Sequence, residues 1–70
     1  MNQDTLNMQT RKFLKKVGIS SQREIEQAVS KAIESGALSG DENLDVQMTL
    51  SIPSLGIDHK INGSIALEDN

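Results

Sequence analysis

Residues 44–52 read Leu-Asp-Val-Gln-Met-Thr-Leu-Ser-Ile, and the chain alternates here without a break. Leu44, Val46, Met48, Leu50 and Ile52 are apolar, while Asp45, Gln47, Thr49 and Ser51 between them are polar. Successive side chains of a strand point to opposite faces, so this pattern predicts a strand over about 44–52 with one apolar side. Pro53-Ser54-Leu55-Gly56 follows and predicts a turn, because proline presets φ and glycine tolerates φ > 0. Alternation then resumes through Ile57, His59, Ile61, Gly63, Ile65 and Leu67, which predicts a second strand over about 57–67.

A four-residue turn sets the register of such a hairpin. Ile52 should face Ile57, Leu50 His59, Met48 Ile61, Val46 Gly63, and Leu44 Ile65. All the apolar residues then share one face, and a slip by one residue would reverse that. Asn62-Gly63 carries a competing signal, since this dipeptide favours a type I′ hairpin turn and would split off a third strand, Ser64–Leu67. The single long strand is preferred because its alternation runs through the site; Asn62-Gly63 is then expected to be a bulge or a close approach. Residues 68–70 read as a frayed tail.

Upstream of residue 44 the period is 3.6. Leu6, Thr10, Phe13, Leu14 and Val17 fall on one face of a helix over about 4–17, with Asn2 or Asp4 as its cap. Lys15 and Lys16 would occupy its last turn and Gly18 the left-handed position that ends it. Ser21 and Glu24 match a capping box, and behind them Ile25, Ala28, Val29, Ala32 and Ile33 mark a second helix over about 21–35, closed by Gly36. The expected fold is α+β, a single two-layer domain over residues 1–70. Two N-terminal helices would pack on one face of a C-terminal antiparallel β-hairpin, in the order ααββ. A two-stranded sheet is marginal by itself and leaves two edges unpaired, so a homodimer with a four-stranded sheet is expected.

Composition narrows the chemistry. The 70 residues contain no cysteine, tryptophan or tyrosine, one phenylalanine (Phe13) and one histidine (His59). Disulfides, thiolate metal sites and thiol nucleophiles are therefore excluded. The longest apolar run is Ile65–Leu67, so no membrane-spanning segment or secretory leader is expected, and the location expected is cytoplasmic. The formal net charge of -3 is unevenly placed. Residues 1–31 hold six cations against three anions, and residues 32–70 hold Lys60 against seven anions. Exposed charge runs are usually solvated or complement one another, and each such pair contributes little. The sharper reading is an anionic partner on the basic face of the first helix, and the residues that would meet it are Arg11, Lys12, Lys15, Lys16 and Arg23.

The remaining candidates are weaker than their bland alternatives. His59 lies next to Asp58, but neighbours along a strand face opposite ways, so the pair is not an acid/base couple; a partly buried structural histidine is expected. Asp41, Asn43 and Asp45 open like a calcium loop, yet Val46 replaces its glycine and Ile52 its bidentate glutamate. There is no Gly-rich phosphate loop, and Asn62-Gly63-Ser64 matches a glycosylation acceptor only by letter. No catalytic residue, metal or cofactor is expected. Residues 13–33 resemble a helix-turn-helix, but its second helix offers Arg23 and Lys31 against Glu24, Glu26 and Glu34, a poor match to phosphates.

Asn2-Gln3-Asp4-Thr5-Leu6-Asn7-Met8, Arg11–Gly18 (RKFLKKVG), Ser21–Glu26 (SQREIE) and the closing Ile65-Ala66-Leu67-Glu68 resemble a group of short bacterial proteins, domain of unknown function 6494. The resemblance covers nearly the whole chain and implies a bacterial cytoplasmic protein of about this length. It implies no activity, cofactor or site residue. The expected function is a small non-enzymatic interaction or regulatory module, with a nucleic-acid-binding protein built on the helix-turn-helix-like segment as the alternative.

Overall fold

The computed structural model describes residues 1–69; of the tail expected to fray over 68–70, Asn70 falls outside them. The chain forms two compact units, Met1–Ala37 and Leu38–Asn70. The first holds one helix, α1 (Gln3–Glu34). The second holds β1 (Asn43–Ile52), a short 3₁₀ turn (Pro53–Leu55) and β2 (Ile57–Ala66), which form a two-stranded antiparallel sheet. The fold is α+β.

The two expected helices are a single one. Helix α1 runs 32 residues without a break, and Gly18 lies inside it with no left-handed φ. Two physical facts explain the difference. A glycine inside a helix costs about 1 kcal/mol relative to alanine, which 31 helical neighbours absorb. The apolar stripe also crosses Gly18 without losing phase, since Val17, Ser21 and Ile25 follow one another at i, i+4 and i+8 and all are half-buried. Ser21 and Glu24 therefore make no capping box. Such a box serves orphan N–H groups at a helix start, and mid-helix N–H groups donate to carbonyls one turn back. Lys15 and Lys16 likewise lie mid-helix, away from the terminal dipole.

The ends of α1 follow the sequence. The Asn2 side-chain oxygen accepts from the Thr5 backbone N–H at 3.1 Å, so Asn2 is the cap and Asp4 lies in the first turn. At the far end Gly36 adopts φ 82°, and its N–H donates to the Ile33 carbonyl at 3.1 Å. That left-handed residue ends the helix as expected.

The hairpin has the expected register. Leu44 pairs with Ile65, Val46 with Gly63, Met48 with Ile61, Leu50 with His59 and Ile52 with Ile57. Pro53 opens the turn, and Gly56 closes it at φ 66° with its N–H on the Pro53 carbonyl at 3.1 Å. Strand β2 passes through Asn62-Gly63 to Ala66, one residue short of the expected Leu67. The pairing there is neither a turn nor a bulge, because Gln47 pairs with Asn62 and Val46 with Gly63 in unbroken sequence. The Gln47 amide donates to the Asn62 side-chain oxygen at 2.9 Å across the polar face. Gly63 is not a close approach either, since a Cβ there would meet nothing within 4 Å.

No described residue is buried. A lone helix and a two-stranded sheet are each too thin to enclose a side chain. On α1 the half-buried residues are Val17, Ser21, Ile25, Val29 and Ala32. Among hairpin apolar residues they are Leu44, Val46, Ile52 and Ile65, with Leu67 just beyond β2.

Two glycine substitutions test this description. Gly18→Ala should raise stability by about 1 kcal/mol, because alanine favours a helix interior and its methyl would meet nothing within 4 Å. A left-handed turn at Gly18 would give the opposite sign, and urea unfolding followed by circular dichroism reads it. Gly63→Val should also stabilise, by about 0.5–1 kcal/mol, since it adds a β-branched residue opposite Val46 in an open strand position.

Candidate functional site

A helix repeats its faces at i+3, i+4, i+7, i+8 and i+11. Lys12, Lys15, Lys16, Ile19, Ser20 and Arg23 stand in that relation and line one open surface depression on α1. This face exists because the helix continues through Gly18. A break there would have turned Ile19, Ser20 and Arg23 away from the three lysines. Of the five cations singled out in the sequence, the structure therefore brings together Lys12, Lys15, Lys16 and Arg23. Arg11, one residue before Lys12, is turned about 100° round the helix.

Ile19 is the residue sequence reading missed. It is 53% exposed in the middle of the cations. The expected turn at Gly18 hid it among loop residues. Its signal was its spacing, four residues after Lys15 and four before Arg23. No ion pair within 4.0 Å involves Lys12, Lys15, Lys16 or Arg23 among the described residues. The single ion pair found there, Lys60 with Asp58 at 3.5 Å, lies on the hairpin and is exposed, so it contributes little. The face is thus four unpaired cations around an exposed aliphatic side chain. It suits an anion that also carries an apolar group.

The other candidates have structural surroundings. His59 lies opposite Leu50 and is exposed, not partly buried as expected. The side chains flanking it on that face, Leu50 and Ile61, are themselves open to solvent. Asp58 pairs with Lys60 on the opposite face and does not orient the imidazole.

The acidic loop before β1 is organised around Glu42. Its carboxylate accepts the Ser39 backbone N–H at 2.9 Å, the Gly40 N–H at 2.9 Å and the Ser39 hydroxyl at 3.1 Å. Asp41 accepts the same hydroxyl at 2.6 Å. The Glu42 backbone carbonyl accepts the Leu67 N–H at 3.0 Å, which ties the loop to the open end of the hairpin. Among the described residues no group of three or more His, Cys, Asp or Glu is placed to hold a metal ion. The Ser39 and Gly40 backbone donors lower the Glu42 pKa from 4.5 to about 2, against a small opposing effect of desolvation.

That lowering has a sign. A carboxylate held below its unfolded pKa contributes stability that is fully present above about pH 4.5 and is lost as pH falls through about 2. Glu42→Gln should therefore be less stable than the parent at pH 7, and the difference should shrink below pH 4.5 and vanish only below about pH 2. Parallel urea titrations of both proteins across that range check it. A difference independent of pH would remove the ionised carboxylate from the account.

No helix among the described residues is long and apolar enough to cross a membrane. No curated protein and no solved structure matches the chain. A family model described as "Family of unknown function (DUF6494)" matches residues 1–68. Its description carries no activity, so the basic face of α1 is read from its own geometry; by that match over nearly its whole length, the chain belongs to the family DUF6494.

Proposed function

We propose that this protein is a small non-enzymatic interaction module of the bacterial cytoplasm whose basic helix face docks an acidic segment of a partner protein. The observation that supports the reading is the set Lys12, Lys15, Lys16 and Arg23 around the exposed Ile19, with no carboxylate within 4.0 Å of any of the four among the described residues. Four cations of one sign on one side of a helix raise the local concentration of an anionic partner. An aliphatic residue at their centre gives that partner an apolar anchor. An acidic segment with one apolar side chain meets both requirements.

Nucleic acid fits less well. The reading rested on a helix-turn-helix-like segment, and α1 has no turn within it. The unit Leu38–Asn70 holds Lys60 against six anions, which repel a polyphosphate, and no aromatic residue stands among the cations to stack on bases.

The test compares the parent protein with Lys15→Glu/Lys16→Glu as affinity baits in lysate of the native bacterium. Both residues are exposed and mid-helix, so helicity should be unchanged. The double reversal should lose a set of acidic proteins that the parent retains, and the parent should release them as salt rises from 50 to roughly 300 mM. Capture of the same proteins by both baits rejects the reading. Retention of a short duplex DNA by the parent at 50 mM salt would favour nucleic acid instead.

A further inference from the structure

Each unit leaves part of its apolar face open. On α1 the larger such stretch is the N-terminal part, where Leu6, Phe13 and Leu14 are 48%, 55% and 54% exposed; toward the other end of the stripe Ile33 is 46% exposed. On the hairpin it is the end near the turn, where Met48, Leu50, Ile57 and Ile61 are exposed on one face. We infer that two copies of this chain associate reciprocally, the N-terminal third of each helix lying on the turn end of the partner's hairpin. This goes beyond the acidic-partner reading and does not depend on it, because the basic face is a different side of α1.

Area argues for that arrangement over simpler ones. A large apolar side chain carries on the order of 150–200 Å² of surface, so about half of it from each of Leu6, Phe13 and Leu14 comes to roughly 270 Å². The four hairpin residues offer a similar amount, roughly 300 Å². Two helix patches stacked on each other would bury roughly 550 Å² in total, within the range of chance crystal contacts below about 800 Å². Reciprocal helix-on-hairpin contact uses every patch and buries roughly 1,100 Å² of apolar side chain before any polar rim is added. That approaches the lower bound of about 1,200 Å² for specific interfaces.

Charge argues the same way. The unit Met1–Ala37 holds six cations against four anions, while Leu38–Asn70 holds one cation against six anions. Helix against helix brings like net charges together, and so does hairpin against hairpin. Helix against hairpin joins opposite signs. Through Leu14 the docking segment carries Asp4 against Arg11 and Lys12, a sum of one positive charge, so it keeps the sign of its unit. A two-fold arrangement makes both contacts at once and closes on itself.

The chain has no cysteine, so single cysteines report contacts cleanly. Light scattering at 50 μM should give twice the chain mass for the parent. Phe13→Cys and Ile61→Cys, mixed at equal concentration and treated with a short bis-maleimide, should give a cross-linked mixed dimer. Each protein alone should give several-fold less. Phe13→Asp should return a one-chain mass with its helical circular dichroism kept. A parent mass of one chain overturns the proposal, as the apolar patches would then be met within a single chain. So does cross-linking of Phe13→Cys to itself at the level of the mixture, which would indicate paired helices.

Discussion

The backbone hydrogen bonds that run through Gly18 set the phase between the two halves of α1. With the helix intact, residues seven and eleven positions apart keep a fixed angular relation. Lys12, Ile19 and Arg23 then share a face, and Val17, Ser21 and Ile25 share another. The cation cluster and the apolar stripe are both consequences of that continuity. Neither needs a tertiary contact, because a helix orders its surface by period alone.

The hairpin uses a different period to the same end. Its ten residue pairs, from Asn43 with Ala66 to Ile52 with Ile57, place the apolar residues on one side. The two ends are held by different means. At the turn Pro53 and the left-handed Gly56 set the geometry. At the open end Glu42 accepts two backbone N–H groups through its side chain, while its main-chain carbonyl holds Leu67. A carboxylate is well suited there, since charge-assisted bonds to backbone donors are stronger than neutral ones.

These two units sort charge as well as polarity. The basic surplus lies on Met1–Ala37 and the acidic surplus on Leu38–Asn70. With no described side chain buried, the usual source of stability for a small domain, an enclosed core, is absent from either unit taken singly. The surfaces that remain open are therefore the chemically informative part of the molecule. One is cationic with an aliphatic centre, and two are apolar.

The sequence by itself determined the five apolar-face pairs of the hairpin, while Asn62-Gly63 stayed open between a bulge and a second turn. A period of two has one solution once a four-residue turn is fixed, and each strand contributed a full alternating run. It also offered Asn2 as one of two caps, set the end at Gly36 and named four of the residues on the basic face. It did not determine whether the chain turned at Gly18. Glycine is permissive in both the left-handed and the helical regions, and a following Ser-x-x-Glu fits either a helix start or a helix interior. Local signals at residues 18–24 were therefore degenerate, and the in-phase stripe across them carried the decision. Only the folded structure resolved that choice, and with it the place of Ile19 among the cations and the exposure of His59. Exposure depends on what lies above a sheet face, and alternation along a strand says which side a residue takes but not whether anything covers it.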